Sequence, residues 1–402
     1  MNKFLYLFIL LTLTLTLKAR SNITIKDTSR CHLSAGFSLL SSHDINPLQL
    51  GYFFILQQTD SKIKARMDKI LDRQGMMHFG EVLGYDFRAD FKLKNVNNYR
   101  LLVLYSWKYW QNLNLPATGY RLIRDGNYEL AGMSVNLSGS DYSVSGYQIF
   151  GIGVQQKSEK FSSEITFNYL NQRFDQQLTL NDSYFYTSDE GDSVELSIDA
   201  AYQKAIRTNA VFGKTSGSGL SFNAGIVWHA SEKHKISLNI ENLGVVHEKV
   251  QKTSVDTLLT LKGMDVFGGQ LFEQYFPSGL ADSFINNVKP AEDHWTLSSY
   301  SLNFQYAWQI NDRMNTKLSA NYFPAFCRNP SIEAVASYSF SENKIILSSG
   351  FARDYFGHFG WFLGLNFHLK TWTFDFSSKH FQSLITPVAV GQSIIFSFGK
   401  KF

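Results

Sequence analysis

The sequence has little of several things that would point to other classes of protein. Only 7 of its 402 residues are proline, and only two, Cys31 and Cys327, are cysteine. Two cysteines do not make the disulfide framework of a small secreted domain, and the sequence leaves open whether they pair. Lysine and arginine (38) nearly balance aspartate and glutamate (34). The chain therefore lacks the strongly basic surface of a nucleic-acid-binding protein, and we expect no nucleic acid among its partners.

Long apolar runs are scarce as well, which argues against a helical membrane protein. The mean hydropathy is only −0.16. One stretch, 381–399, carries no charge and is long enough for a helical span. It contains Pro387, Gly391 and several glutamine and serine residues, whose polar groups a lipid-exposed helix would leave in hydrocarbon. We therefore predict a loop followed by a strand in this stretch.

Aromatic residues are the abundant component, at 15% of the chain with 34 Phe and 20 Tyr. A transmembrane β-barrel combines many aromatic residues with a modest hydropathy, because every second residue of each strand faces a polar interior. The composition thus favours a membrane protein that crosses the bilayer with strands.

The N-terminus looks like a secretory signal peptide over residues 1–19. Lys3 supplies a short positive segment, an apolar and threonine-rich run follows from Phe4 to Leu17, and Ala19 is a small residue for cleavage. The apolar run is too short for a membrane span, so an uncleaved anchor is the less favoured alternative.

The last residues of the chain form the most informative pattern. Side chains of a strand alternate between its two faces, so four apolar residues in 392–402 share one face. In exported proteins of Gram-negative bacteria this pattern resembles the terminal strand presented to the barrel assembly machinery. We therefore expect an outer-membrane protein that meets this machinery during biogenesis, with an assembly signal formed by Ile394, Phe396, Phe398 and Phe402.

Period-two alternation over about ten residues, the length that a tilted strand needs to cross a bilayer, recurs along the chain. It predicts an all-β fold, a transmembrane antiparallel β-barrel over residues 82–402. The predicted strands are 82–93, 100–110, 128–137, 146–156, 161–170, 219–230, 235–244, 298–310, 314–323, 331–340, 344–352, 359–369, 371–380 and 391–402, fourteen in all.

Long and short connections alternate, which fits a barrel with long extracellular loops and short periplasmic turns. The long predicted loops are 171–218 and 245–297, and 111–127 is expected to be a longer periplasmic connection. A soluble sandwich would show the same strand alternation, but an open sheet in lipid would leave its edge groups unpaired, so the barrel must close.

Several aromatic residues near predicted strand ends suit the headgroup level of a bilayer. They are Trp107, Tyr109, Trp110, Trp308 and Trp372.

Residues 20–81 do not alternate in this way. Ile63, Met67, Ile70 and Leu71 follow a helical spacing. We predict a small N-terminal segment outside the strand pattern, either a plug in the barrel mouth or a periplasmic helix beneath it.

The charged residues of the strands supply the only chemical clue, because the histidines are scattered without a metal-ligand motif. No sign of charge dominates the predicted interior, so we expect structural pairs rather than an ion filter. We predict no catalytic, cofactor or metal site, and no enzyme. The candidate lumen-facing residues are Asp86, Arg88, Asp90, Lys92, Glu164, Asn168, Glu333 and Asp375.

Four stretches resemble an uncharacterised family of outer-membrane proteins common in the Bacteroidota, a domain of unknown function. They are Gly126 to Gly132, Tyr147 to Val154, Ser237 to Val246, and Lys262 to Phe267. That family is similar in layout to FadL-type barrels, which have fourteen strands and an N-terminal hatch. The resemblance covers roughly 120–402 and brings no catalytic or ligand residue with it. Residues 20–81 depart from the FadL pattern, since Asn46-Pro47-Leu48 is the nearest match to its Asn-Pro-Ala start.

The resemblance implies a channel that passes a hydrophobic small molecule across the outer membrane. Fold analogy alone is a weak guide to function. The alternative is a non-conducting structural or interaction barrel, a surface anchor or a secretion-system partner, that acts through its long loops. In either case the outer-membrane lipid is an expected partner.

Overall fold

The structure is a computed structural model. It describes residues 31–43, 64–65, 68–69, 71–72, 75–93, 98–210, 213–262, 287–324, 329–340, 344–355, 357–385 and 391–402. The predicted signal peptide, Cys327 and much of the predicted segment 20–81 lie outside these residues. Cys31 is described and forms no disulfide.

The described chain consists mainly of strands. They are β1 (Cys31–His43), β2 (Met76–Lys92), β3 (Tyr99–Pro116), β4 (Ser134–Asn136), β5 (Asp141–Lys157), β6 (Phe161–Leu180), β7 (Tyr184–Thr187), β8 (Ser193–Ala205), β9 (Thr208–Ala210), β10 (Gly213–Thr215), β11 (Gly217–His229), β12 (His234–Lys262), β13 (Asn287–Val288), β14 (Glu292–Leu297), β15 (Ser301–Gln309), β16 (Met314–Tyr322), β17 (Ser331–Phe340), β18 (Ile345–Arg353), β19 (Phe359–Leu369), β20 (Trp372–Ser378) and β21 (Gln392–Lys401).

Helical structure is confined to short elements. Helix α1 covers Ala117–Asp125, a 3-10 turn covers Tyr128–Leu130, and α2 covers Gln382–Ile385. Residues 64–65, 68–69 and 71–72 are also helical. None of the described helices is long and apolar enough to cross a membrane.

Fourteen strands form one closed antiparallel barrel, which confirms the predicted fold class and strand number. The closing seam joins β21 to β1, in register from His32 opposite Lys401 to Ser41 opposite Gln392. Closure pairs the backbone groups that an open edge would leave in lipid. The order around the barrel is β1, β2, β3, β5, β6, β11, β12, β15, β16, β17, β18, β19, β20 and β21.

One predicted strand is wrong, and another strand takes its place. Residues 128–137 form the 3-10 turn and the three-residue β4, which pairs with β7 outside the barrel. The missing strand is β1, inside the predicted segment 20–81, and β2 begins at Met76. The predicted boundary between 81 and 82 is therefore wrong. The alternation of β1 was weak because its inward residues are small or polar and its outward ones include alanine.

Starting the barrel at β1 reverses the direction predicted for β2 and β3, while the strands from β5 onwards run as predicted. We call the end where β21 finishes the terminal end, and the opposite end the loop end. Because β1 starts the barrel, β3 runs towards the loop end, and α1 follows it there. The predicted periplasmic connection 111–127 is thus wrong, since this stretch lies at the loop end.

The helical residues near 64–72 also lie at the loop end. Arg124 of α1 contacts Asp68 at 2.8 Å, and Arg121 contacts Asp72 at 2.6 Å. Leu71 is buried against Met77 and Tyr120. By alternation, Met77 lies on the outer face of β2, so these residues pack against the outside of the barrel wall. For the described residues of this segment, a position beneath the terminal end is therefore excluded, and none of them lines the internal cavity described below.

The segments predicted as long loops contain much additional sheet. Strands β6 and β12 continue past the barrel wall, and β8 pairs with both of them and with β7. We call this assembly of β4, β7, β8 and the distal parts of β6 and β12 the extension sheet. A small core supports it, formed by Leu122, Val135, Phe185 and Val194.

The seam between β1 and β21 can be tested by cysteine cross-linking. Ser34 and Gly399 face each other across it, and directly opposed residues of an antiparallel pair lie within disulfide reach. In a background with Cys31 and Cys327 replaced by serine, we expect Ser34→Cys with Gly399→Cys to form an intramolecular disulfide on mild oxidation. Mass spectrometry of the oxidised protein would detect it.

The matched control pairs Ser38→Cys with Gly399→Cys, which are not opposed in this register. Equal cross-linking of both pairs would contradict the seam.

Candidate functional site

The barrel encloses a cavity of about 1180 Å³ that extends inward from the terminal end. Residues of β1, β2, β3, β5, β6, β11, β12, β19, β20 and β21 line it, together with the turns at the terminal end. Alternate side chains of each strand point inward, so the polar side chains of the different strands come together in this space.

Ion pairs cross the cavity and hold distant strands together. Arg88 of β2 contacts Asp90 at 2.6 Å and Glu164 of β6 at 3.1 Å. Lys108 of β3 contacts Glu241 of β12 at 3.2 Å. Three barrel strands separate β3 from β12, so this last pair bridges the interior. Charges away from bulk water need such partners, because an unpaired one would be costly.

A bulge follows the acceptor of Lys108 and turns the next residue inward as well. Strands β11 and β12 shift register between Phe222 and Ala224, and Asn242 adopts φ 58°, a conformation that asparagine tolerates better than most residues. The side-chain oxygen of Asn223 accepts the backbone N–H of Asn242 at 2.7 Å. As a result, consecutive residues Glu241 and Asn242 both line the cavity.

Apolar side chains close the cavity towards the loop end. Trp110 stacks on Tyr147 with ring centroids 5.3 Å apart, and meets Phe323 edge-on at 5.4 Å. Ile149, Leu170 and Val246 complete the buried cluster, and Tyr355 packs against it. We call Trp110, Tyr147, Ile149, Leu170, Val246 and Phe323 the aromatic plug. A void of about 10 Å³ lies beside it.

The aromatic plug corrects one prediction. Trp110 was expected at the headgroup level, but it is 6% exposed and inside the barrel. Alternation decides this, because Trp110 follows the inward Lys108 by two residues. Trp308 and Trp372 do lie on the outer face, 42% and 38% exposed. Trp107 stacks with Tyr85 and Tyr109 on that face.

A second polar network ties connections at the loop end to the wall. Glu333 of β17 contacts Lys379 at 2.6 Å and Lys317 at 3.8 Å. Asp354, in the connection after β18, contacts His380 at 3.2 Å and His358 at 3.3 Å. Glu333, Asp354 and His380 are all buried.

Charge pairing sets the protonation of this network. Burial by itself would lower the pKa of Lys379, but the attraction of Glu333 outweighs it and raises the pKa above its usual value. Burial would raise the pKa of Asp354, but its hydrogen bonds to His358 and His380 hold that pKa well below the usual range. Both residues therefore stay charged at neutral pH.

Most of the chain matches one family of proteins. Residues 80–376 match a "Family of unknown function (DUF5723)". The chain belongs to this family. No match was found among curated proteins.

Solved structures similar to this family member include bacterial outer-membrane barrels. The Pseudomonas putida toluene transporter TodX is 9% identical, with a TM-score of 0.44, over 92% of this chain and 90% of that one. The CymD monoaromatic hydrocarbon channel is 10% identical, with a TM-score of 0.44, over 94% and 90%. A Pseudomonas aeruginosa FadL homologue is 9% identical, with a TM-score of 0.40, over 92% and 89%.

The predicted lumen-facing residues lie in three different places in the structure. Asn168 is buried in the wall, donating to Ser221 at 3.3 Å and Asn223 at 2.9 Å. Glu333 belongs to the loop-end network. The others line the cavity, namely Asp86, Arg88, Asp90, Lys92, Glu164 and Asp375.

The predicted assembly signal lies on the outer face. Phe396, Phe398 and Phe402 are 36%, 39% and 56% exposed, and Ile394 shares their side of β21. Recognition by an assembly machinery remains a prediction. Within the described residues, no group of three His, Cys, Asp or Glu side chains is arranged to hold a metal.

Removing one partner of the loop-end network should lower the free energy of unfolding by a large amount. Lys379→Met leaves the Glu333 carboxylate buried without its nearest cation, and we expect the free energy of unfolding to fall by about 3–5 kcal/mol. Urea titration of the folded barrel in detergent, followed by tryptophan fluorescence, would measure it.

The double variant Glu333→Gln/Lys379→Met should recover part of that loss, and Lys289→Met, at an exposed lysine, should change little. A loss at Lys379 no larger than at Lys289 would contradict the network.

The network also predicts acid sensitivity. The pKa of Asp354 is lower folded than unfolded, so its contribution to stability is complete above the unfolded value of about 3.9 and is lost as pH falls below it. We expect Asp354→Asn to flatten the decline in the free energy of unfolding between about pH 5 and 3, by up to about 1.4 kcal/mol per pH unit. Parallel titrations of both proteins would show it, and identical slopes would contradict it.

Proposed function

We propose that the protein is an outer-membrane barrel that does not conduct along its axis at rest, and that acts by binding partners at its two ends. The observation that carries this proposal is the aromatic plug. Its rings and aliphatic side chains come from β3, β5, β6, β12 and the connection after β16, and the five members from the strands are at most 7% exposed.

The cavity below the plug is poorly suited to a hydrophobic passenger. Sites for apolar ligands are lined mainly by apolar and aromatic side chains. Here Arg88, Lys108 and their acidic partners occupy the space, and an apolar molecule would remove water from these charges without replacing its hydrogen bonds. This chemistry disfavours axial transport of hydrophobic molecules.

The loop end offers the larger surface for a macromolecular partner. Strand β12 has 29 residues, while about ten suffice to cross a bilayer. Most of it therefore stands beyond the membrane, where it pairs with β8 along Val250–Lys262. The extension sheet is held rigid by its own core against α1, which suits a surface that docks a partner.

A second candidate, gated passage, rests on one observation. The void beside the aromatic plug and the cavity below share Lys108, Ile149 and Asn242 in their linings. A few side chains thus separate the cavity from the loop end, and their movement would connect the two.

Conductance measurements in planar lipid bilayers test the proposal. We expect the wild-type barrel to show no steady conductance, because the plug blocks the axis. Truncating both stacked rings, in Trp110→Ala/Tyr147→Ala, should open discrete conductance steps.

The matched control is Trp361→Ala, which removes an outer tryptophan that is 64% exposed, and it should stay closed. Steady conductance or solute uptake by the wild-type protein would favour passage and contradict the proposal.

A further inference from the structure

Lysines crowd the opening of the cavity at the terminal end. They come from five separate places around the barrel: the end of β2, the turn between β5 and β6, the start of β12, the turn between β19 and β20, and the end of β21. The lysines that line the cavity there are Lys92, Lys157, Lys160, Lys235, Lys370 and Lys401, and we call them the lysine mouth. Among the acidic residues that line the cavity, Glu159 lies beside these lysines, exposed on the β5–β6 turn.

The acids deeper in the cavity are engaged by other groups. Asp90 and Glu164 bind Arg88, and Glu241 binds Lys108. Asp375 accepts a hydrogen bond from Ser397 at 2.8 Å, and Asp86 accepts one from Ser106 at 2.5 Å. The serine contacts leave Asp86 and Asp375 charged, but the nine lysine and arginine residues that line the cavity still outnumber its six acids.

Four members of the lysine mouth make no ion pair with any residue that the structure describes: Lys92, Lys160, Lys370 and Lys401. Like charges gathered around a cleft with low-dielectric walls concentrate the electric field and raise the local concentration of oppositely charged solutes. The opening therefore attracts anions.

The side chain of Lys401 points into the cavity rather than towards lipid headgroups. Lys401 faces inward on β21 and lines the cavity. Its neighbour Lys400 faces outward, where its ammonium group lies 4.6 Å from the ring centroids of both Trp372 and Phe402. An anion bound to Lys401 therefore lies inside the barrel.

The walls and floor of the cavity indicate the size and polarity of the ligand. The volume of about 1180 Å³ exceeds the roughly 300–1,000 Å³ of pockets that hold one small organic molecule, so the cavity has room for such a molecule together with water. Neutral hydrogen-bonding groups lie between the charges, including Ser34, Asn98, Asn239 and Thr373. Ile149, which belongs to the aromatic plug, forms the inner end of the cavity and stops a ligand from passing further.

We propose that the cavity is a binding site for a small hydrophilic polyanion, one with at least two phosphate or carboxylate groups, which enters through the lysine mouth. This site rests on the proposed function in one respect, since it names the class of ligand bound at the terminal end, but it requires neither a partner at the loop end nor a closed plug.

Calorimetric titration of the full-length protein in a neutral detergent tests the site. The probes are inorganic tripolyphosphate and citrate, with sucrose as a neutral control. We expect at least one of the two anions to bind and sucrose not to bind. Raising the salt from 50 to 500 mM should weaken the binding, because salt screens these charges. Tighter binding of tripolyphosphate would assign the site to phosphates, and tighter binding of citrate to carboxylates.

Paired lysine variants supply the discriminating control. Lys160→Gln/Lys370→Gln/Lys401→Gln should weaken binding at least about tenfold, because three ammonium contacts are lost. Lys400→Gln makes the same change of charge one residue away on the outer face, and should alter binding less than about twofold. If the triple variant fails to fold, Lys401→Gln against Lys400→Gln gives the same comparison.

Three results would overturn the inference: no binding of either anion, equal binding by the wild-type protein and the triple variant, or equal losses in Lys401→Gln and Lys400→Gln. None of them bears on the conductance measurements, so failure of this site and failure of the proposed function are distinguishable.

Discussion

Backbone hydrogen bonding in hydrocarbon is the constraint on which the rest of the structure depends. A strand that crosses a bilayer has no water to satisfy its N–H and C=O groups, so each strand needs two neighbours. The pairing of β21 with β1 meets this need for the last strand and the first. Once the sheet closes, alternation sends one half of the side chains to lipid and the other half inside. The cavity and its charges are consequences of that closure.

Inside the barrel, the same scarcity of water governs the charged side chains. Arg88 and Lys108 reach carboxylates on strands that are not their hydrogen-bonded neighbours, so the ion pairs brace the wall across the interior. The loop-end network around Glu333 and Asp354 likewise fixes two connections to the wall. Between these two polar regions the interior turns apolar, and the rings of Trp110, Tyr147 and Phe323 pack as in a soluble core. Among the described residues, an apolar cluster therefore lies between the cavity and the loop-end network.

The two ends of the barrel differ in chemistry. The terminal end has short turns and the lysine mouth, which opens into a polar cavity. The loop end carries the extension sheet and α1, supported by the ion pairs of Arg121 and Arg124 with Asp68 and Asp72. The two ends therefore differ in chemistry, and the ligands that we propose for them differ accordingly.

The sequence by itself determined the fold class and most strand positions, because period-two alternation and the need for closure are properties of the chain. The predicted number of fourteen agrees because one false strand and one missed strand offset each other. Strands at 331–340 and 359–369 match the structure at both ends. Asp86, Arg88 and Asp90 could be expected inside from alternation alone. Strand β1 was missed because its small residues gave little contrast between its faces, and β4 was mistaken for a barrel strand.

Only the tertiary structure decided which residues meet. The partners of Arg88 and Lys108 are far away in the chain, and the bulge that turns Asn242 inward beside Glu241 depends on Asn223 of the neighbouring strand. Trp110 looked like a headgroup anchor until the direction of β3 was fixed, and the lysine mouth gathers residues from five places in the chain. Alternation assigns a side chain to a face, but its partner across the interior depends on the register and curvature of the whole closed sheet.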